Sequence, residues 1–304
     1  MQMNSSLIRA VVWMIGTLLS FSLMAVCARE LSGEIATHQT LFIRSAIGLA
    51  CISIILLASR ERVKIKTNRL GLHSLRNIFH FAGQYGWFLG IGLLPLAEVF
   101  ALEFTVPIWT LIVAAIALGE KITTQKVLSI LLGSLGVVVI LKPGIAIINA
   151  ASFIVLASAI CYAISHTTTK SLSSSESAVS ILFYMCLIQL PIGLLLSISS
   201  WVWPAGLQWV WLLVVGLTAL SAHYCMVNAM RYAEASTIVT LDFLRLPLIA
   251  LVGVLLYSEQ LEFALLIGGL LMLAGNIVSL KQPAYNKVIN YAPTAPDAAK
   301  LRRL

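Results

Sequence analysis

The chain has 304 residues, 60% hydrophobic and only 11% charged, with a net charge of +8 and a pI near 9.4. A soluble domain needs about 25% charged residues to cover its surface, so this chain must use lipid as its solvent. The positive balance is no nucleic-acid footprint, because aromatic and basic residues interleave on no long polar segment; basic loops on one side of a membrane account for it.

Ten segments reach the roughly 20 apolar residues that cross a bilayer: 9–28, 38–59, 71–93, 95–118, 124–142, 149–168, 179–199, 207–230, 235–257 and 261–280. The first resembles a secretion signal, but Ala25-Val26-Cys27-Ala28 is a poor cleavage site and the later segments are equally apolar, so it reads as a retained span. Connections are short and leave no room for a soluble domain. The longest linker is the charged run Arg60 to Arg69. Residues 1–8 form a cytoplasmic N-terminus, and 282–304 a polar cytoplasmic tail expected to be disordered. The five cysteines, Cys27, Cys51, Cys161, Cys186 and Cys225, sit in apolar runs without a CxxC pair. They read as packing residues.

Orientation follows from Lys and Arg. With the N-terminus in the cytoplasm, 16 of the 20 fall on the cytoplasmic side, Arg29 and Lys142 fall outside, and Arg44 and Arg245 lie within spans. That bias places both termini in the cytoplasm. The host membrane is expected to be the cell (inner) membrane.

The chain also repeats itself. At an offset of 139, Leu102-Glu103-Phe104 falls on Leu241-Asp242-Phe243, Glu120 on Glu259, Gly136 on Gly275, and Leu141-Lys142 on Leu280-Lys281. An acid within an apolar run and an acid in the following turn both recur. Spans 1–5 (9–143) thus match spans 6–10 (149–281). Five is odd, so the second copy enters from the opposite side, the inverted repeat of a transporter.

Spans 3–5 resemble the drug/metabolite transporter superfamily in its EamA-type ten-helix branch. The residues that carry the resemblance are Leu94-Pro95-Leu96-Ala97, Pro107, Gly119-Glu120-Lys121-Ile122-Thr123, Leu132-Gly133 and Gly136-Val137. The second copy is degenerate: Ser258-Glu259-Gln260 replaces the Gly-Glu-Lys turn, and Pro247 sits one place beyond the match to Pro107. The resemblance implies an all-α membrane fold of two inverted five-helix repeats. It also implies a central cavity lined by spans 1, 3, 4, 6, 8 and 9, with spans 5 and 10 peripheral.

Candidate site residues are those whose polarity is costly in lipid. A charged residue at mid-span costs about 2.5–3.5 kcal/mol, so Glu103 is expected to face a wet cavity or a partner, Arg44 being one option. Asp242 and Arg245 share a helix face three residues apart. They either neutralise each other or bind solute, with Arg245 gripping an anion and an acid meeting an ammonium or a proton. Arg76, His80 and Gln84 form a stripe at a spacing of four in span 3, with Trp87 one turn on. Arg76 could merely snorkel. Span 8 adds His223, Tyr224, Asn228 and Arg231, and span 6 adds Tyr162 and His166. Pro107 and Pro247 are expected to kink spans 4 and 9 near the acids and act as gating joints. Glu120 and Glu259 read as helix caps or loop anchors. Trp13, Trp201, Trp203, Trp209 and Trp211 read as interfacial anchors. No His pair has ligand spacing within a span, so neither a metal nor a cofactor is expected.

The expected function is secondary transport of a small polar or zwitterionic, amino-acid-like metabolite by alternating access, with export as the first direction. Import of a nucleotide-like or vitamin solute is the alternative. There is no GxxxxGK[ST], so an ion gradient or the solute's own gradient must drive it. An intramembrane enzyme fits less well: the chain lacks HExxH, GxSxG and paired DxxxD motifs. The expected partners are the solute and the bilayer, with protons and a homodimer left open.

Overall fold

A computed structural model describes residues 5–31, 34–58, 65, 67–94, 99, 102–141, 150–257 and 263–280. No strand occurs among them. The helices are α1 (Ser5–Glu30), α2 (Thr37–Ala58), α3 (Leu70–Leu93), α4 (Val106–Leu118), α5 (Thr124–Leu141), α6 (Ala150–Ser173), α7 (Ala178–Ser197), α8 (Gln208–Tyr232), α9 (Ala235–Leu241), α10 (Arg245–Tyr257) and α11 (Phe263–Leu280). Six of them, α1, α2, α6, α7, α8 and α11, are long and apolar enough to cross a membrane unaided, and α4 and α5 are shorter apolar helices. The 24-residue α3 has the length but carries the polar stripe. The expected tail, most of the 60–69 linker and the Glu259 turn lie outside the described residues.

Local signals set several helix ends. Gly119 closes α4 in the left-handed conformation (φ 69°), which a residue with a Cβ adopts only at a cost. Ser177 caps α7 by accepting a hydrogen bond from the Ser180 backbone N–H.

The expected spans 4 and 9 are each interrupted, and at matching places. Leu102 and Glu103 are helical, Phe104 and Thr105 form a turn, and α4 begins at Val106. In the second copy α9 ends at Leu241, Asp242–Leu244 make one 3-10 turn, and α10 follows. Phe104 and Phe243, equivalent under the 139-residue offset, stack on each other with centroids 5.6 Å apart. The expected mid-helix kinks at Pro107 and Pro247 need correcting. Pro107 is the second residue of α4 and Pro247 the third of α10. In a first turn the backbone N–H has no intrahelical acceptor, so proline removes nothing there and favours starting a helix. At each proline the chain passes from a turn or 3-10 segment, its backbone still right-handed helical, into a new α-helix.

Packing follows the repeat. α1 lies on α8 and α3 on α6; α4 lies on α6 and α10 on α1; α2 pairs with α7 and α5 with α11. Exchanging α1 with α6, α2 with α7, α3 with α8, α4 with α10 and α5 with α11 maps this pattern onto itself. The α5–α11 contact is a backbone approach: a Cβ on Gly136 would stand 2.7 Å from the Gly268 carbonyl oxygen, and one on Gly268 equally close to that of Gly136. Leu57, Ile116, Leu195 and Leu255 face outward while Thr17, Asn77 and Gln189 are buried. That distribution, apolar outside and polar within, suits a lipid solvent.

Candidate functional site

A cavity of about 800 Å³, its mouth included, lies between the two halves. Its walls come from α1, α3, α6, α8, α9, the two helix breaks and the first turns of α4 and α10, and α5 and α11 contribute nothing.

The breaks bring the acids and the arginine together. Arg245 Nη2 donates to Glu103 Oε1 at 2.6 Å and lies 3.0 Å from Asp242 Oδ2. Trp87 Nε1 donates to Glu103 Oε2 at 2.7 Å. The guanidinium carbon sits 5.7 Å from the ring centroids of both Phe21 and Phe104. Two carboxyl groups therefore share one permanent cation, held between aromatic faces. Glu103 pairs with Arg245 of the other repeat, not with Arg44, because the broken spans bring residues 103 and 245 to one level. Three buried polar atoms here have no partner among the described residues: Asp242 Oδ1, Gln84 Oε1 and Arg245 Nε. Each costs about 1–3 kcal/mol if left unsatisfied, so together they form a set of acceptors and a donor suited to a polar solute.

Histidines and a tyrosine form the opposite wall. His80 stands edge-on to His223 (4.7 Å) and to Tyr162 (6.1 Å), and Tyr162 stacks with His166 at 6.3 Å. Gln189 Nε2 lies 2.8 Å from His80 Nδ1 and fixes that ring.

Of the residues singled out in the sequence, Glu103, Asp242, Arg245, Gln84, Trp87, His80, Tyr162, His166, His223 and Pro107 line this cavity. Tyr224, Asn228, Arg44 and Pro247 do not. Tyr224 is 38% exposed and packs edge-on against Trp13. Asn228 is turned back onto its own helix, donating to the Tyr224 carbonyl at 2.9 Å. Arg44 lines a separate, smaller pocket with Met185. Pro247 faces α11, where a Cβ on Gly269 would be 3.6 Å from it. Arg76 does not snorkel: it is 2% exposed and donates to Thr169 Oγ1 and Asn77 Oδ1, both at 2.7 Å. Phe21, Met24, Phe88, Phe104, Val106, Met226 and Val239 complete the lining. Most are ordinary apolar residues with no polar signal to find them. Met226 did carry a signal, since it falls on Trp87 under the 139-residue offset.

Buried charge ties the end of the bundle where α4 turns into α5. Glu120, in the Gly-Glu-Lys turn, accepts hydrogen bonds from the Ala235 backbone N–H (2.7 Å) and the Ser236 hydroxyl (2.5 Å), and so caps α9 of the other repeat. Lys126 joins Glu120 (3.3 Å) to Glu234 (2.7 Å). Lys170 donates to the Met230 and Ala233 carbonyls at the end of α8. At the α1–α2 and α7–α8 turns the contacts use neutral groups or an exposed acid: His38 meets the Ser200 hydroxyl at 2.7 Å, and Gln208 donates to Glu34.

Comparisons with known proteins agree with this architecture. The sequence model of the EamA-like transporter family matches residues 8–142 and 149–281. The chain is 25% identical over 268 residues to an S-adenosylmethionine uptake transporter of Rickettsia felis, covering 87% of this chain and 90% of that one. It is 29% identical over 257 residues to a riboflavin transporter of Vibrio cholerae, covering 83% and 86%. It is 25% identical over 260 residues to a pseudopaline exporter of Pseudomonas aeruginosa, covering 85% and 91%. A solved crystal structure superposes with a TM-score of 0.76 over 89% of this chain and 96% of its own, at 19% identity, a likeness of fold. With both halves matched, the chain is a multi-pass membrane protein of the EamA-like transporter family, a family of transporters rather than enzymes.

Proposed function

We propose that this transporter moves a small zwitterionic, amino-acid-like metabolite across the cell membrane by alternating access, with both termini in the cytoplasm. The observation that carries the reading is the trio of Glu103, Asp242 and Arg245 at the paired helix breaks. Two acids facing one guanidinium lack a second cation. The ammonium or other cationic centre of a solute supplies it, and the unpartnered Asp242 Oδ1 and Gln84 Oε1 accept its hydrogen bonds. Arg245 Nε is a free donor for the solute's carboxylate. The rings of Phe21, Phe104 and Trp87 suit an aromatic or apolar remainder. A proton on one acid could replace the solute's cation during the return step, which would couple transport to a proton gradient.

Access alternates when the tie of Glu120, Lys126 and Glu234 opens and the opposite end closes. Export is the direction expected from the sequence. Import is the second reading, favoured by the relatives named for S-adenosylmethionine uptake, whose solute unites a cationic centre, an amino-acid group and a ring. Counterflow in proteoliposomes tests both: S-adenosylmethionine and a panel of zwitterionic amino acids are each loaded on one side and traced from the other. Saturable exchange of at least one supports the reading. Exchange confined to anionic solutes overturns it.

A further inference from the structure

Arg76 does not line the cavity, yet a chain of hydrogen bonds leads from it to a residue that does. Arg76 Nη1 donates to Asn77 Oδ1 at 2.7 Å. Gln189 Nε2, on α7, lies 3.3 Å from the same oxygen and 2.8 Å from His80 Nδ1. His80 is part of the cavity wall. Each link fixes the direction of the next. A guanidinium carries donors only, so the Asn77 atom that meets it must be the oxygen. The other end of that amide agrees. Asn77 Nδ2 donates to the His73 carbonyl at 2.8 Å and to the Tyr184 carbonyl at 3.3 Å, and carbonyls only accept. With Asn77 fixed, Gln189 must turn its NH2 group toward Oδ1, because oxygen against oxygen would repel. That group has two protons, one for Asn77 and one for His80. His80 Nδ1 is therefore an acceptor and bears no proton. A neutral imidazole then holds its proton on Nε2.

We infer that this relay makes His80 a fixed, neutral hydrogen-bond donor to the solute through Nε2–H, with Arg76, Asn77 and Gln189 as its positioning residues. Nε2 makes no hydrogen bond to another described residue, and the geometry of the ring turns it away from α7 when Nδ1 faces that helix. A second proton on the ring would set an N–H against the Gln189 NH2 group. Asn77 and Gln189 are buried, so neither can turn to water to relieve that clash. The wall across from Arg245 thus recognises an acceptor, such as a carbonyl, a carboxylate or a ring nitrogen. A solute that presents a donor there leaves two N–H groups facing each other and is disfavoured. The donor role rests on the transport reading above; the position of the proton on His80 does not.

Nitrogen NMR of the full chain, isotope-labelled at histidine and reconstituted in nanodiscs at neutral pH, reads the tautomer directly. His80 is expected to show an unprotonated Nδ1 and a protonated Nε2, assigned by the loss of its signals in His80→Asn. A protonated Nδ1, alone or together with Nε2, overturns the proposal. Should His80→Asn fail to fold, Gln189→Glu identifies the ring: a carboxylate only accepts, so the proton is expected to move onto Nδ1. Unchanged signals from every histidine in Gln189→Glu also overturn it. Gln189→Met keeps the size, removes the donor and frees the tautomer. In counterflow of whichever of S-adenosylmethionine or the zwitterionic amino acids the wild type exchanges, its KM is expected to rise about fivefold with kcat retained. An unchanged KM contradicts the donor role. Absence of exchange in the wild type overturns the transport reading alone, because the spectra still decide the tautomer.

Discussion

The two helix breaks occupy equivalent places but carry different chemistry. The first, at Phe104 and Thr105, follows a single acid, Glu103. The second spans Asp242–Leu244 and is followed by Arg245, whose equivalent in the first repeat is Val106. The acid was kept in both copies, and the arginine belongs to one. Glu103 is held by Trp87 from its own half and by Arg245 from the other, whereas among the described residues Asp242 pairs with Arg245 alone. Duplication fixed where the backbone opens; later divergence placed the charge. In the proposed mechanism the symmetric pair of breaks permits alternating access, and the asymmetric set of charges would give the solute one orientation within it.

That comparison predicts unequal effects from equivalent substitutions. Glu103→Gln removes the acid that joins the two breaks and leaves Arg245 with a partner weakened by one. It is expected to reduce transport on the order of 100-fold in a proteoliposome flux assay, from about 3 kcal/mol of lost pairing in a buried site. Asp242→Asn is expected to cost about 10-fold in the same assay. Equal losses at the two positions would mean that the breaks are chemically equivalent. Trp87→Phe keeps the ring and loses the bond to Glu103. A loss of about fivefold, seen mainly in KM, follows from roughly 1 kcal/mol for one hydrogen bond. An unchanged KM would assign Trp87 to packing alone. The smallest effect belongs to the prolines. Pro107→Ala and Pro247→Ala are each expected to change the unfolding midpoint by only a few degrees, because each proline sits in a first turn. A loss of transport from either, with the fold intact, would restore the prolines as moving joints.

Much of this was legible in the sequence, for a physical reason. Mid-span charge is costly in lipid, so Glu103, Asp242 and Arg245 stand out against an apolar background, and the repeat shows that the acids are no accident. The stripe of His80, Gln84 and Trp87 was readable because α3 is regular and its periodicity places them on one wall. Other features were not. Proline suggested a kink, yet it does not reveal whether a helix bends at the ring or starts afresh before it. Asn228 and Tyr224 sit on a continuous α8, but side-chain direction and an internal hydrogen bond decide their roles, and neither shows in spacing. Which cation Glu103 would choose, Arg44 or Arg245, depended on contacts between distant spans that a linear pattern does not contain.

The central claim is that Glu103 and Arg245 meet across the two breaks to hold solute rather than to neutralise each other. The most direct test compares Glu103→Gln, Arg245→Gln and the double variant, all reconstituted at equal density, in counterflow of S-adenosylmethionine and the zwitterionic amino-acid panel. If the pair holds solute, each single variant loses exchange and the double stays as inactive as the worse single. Near-normal exchange in the double variant, with both singles impaired, would show that the two charges serve only each other.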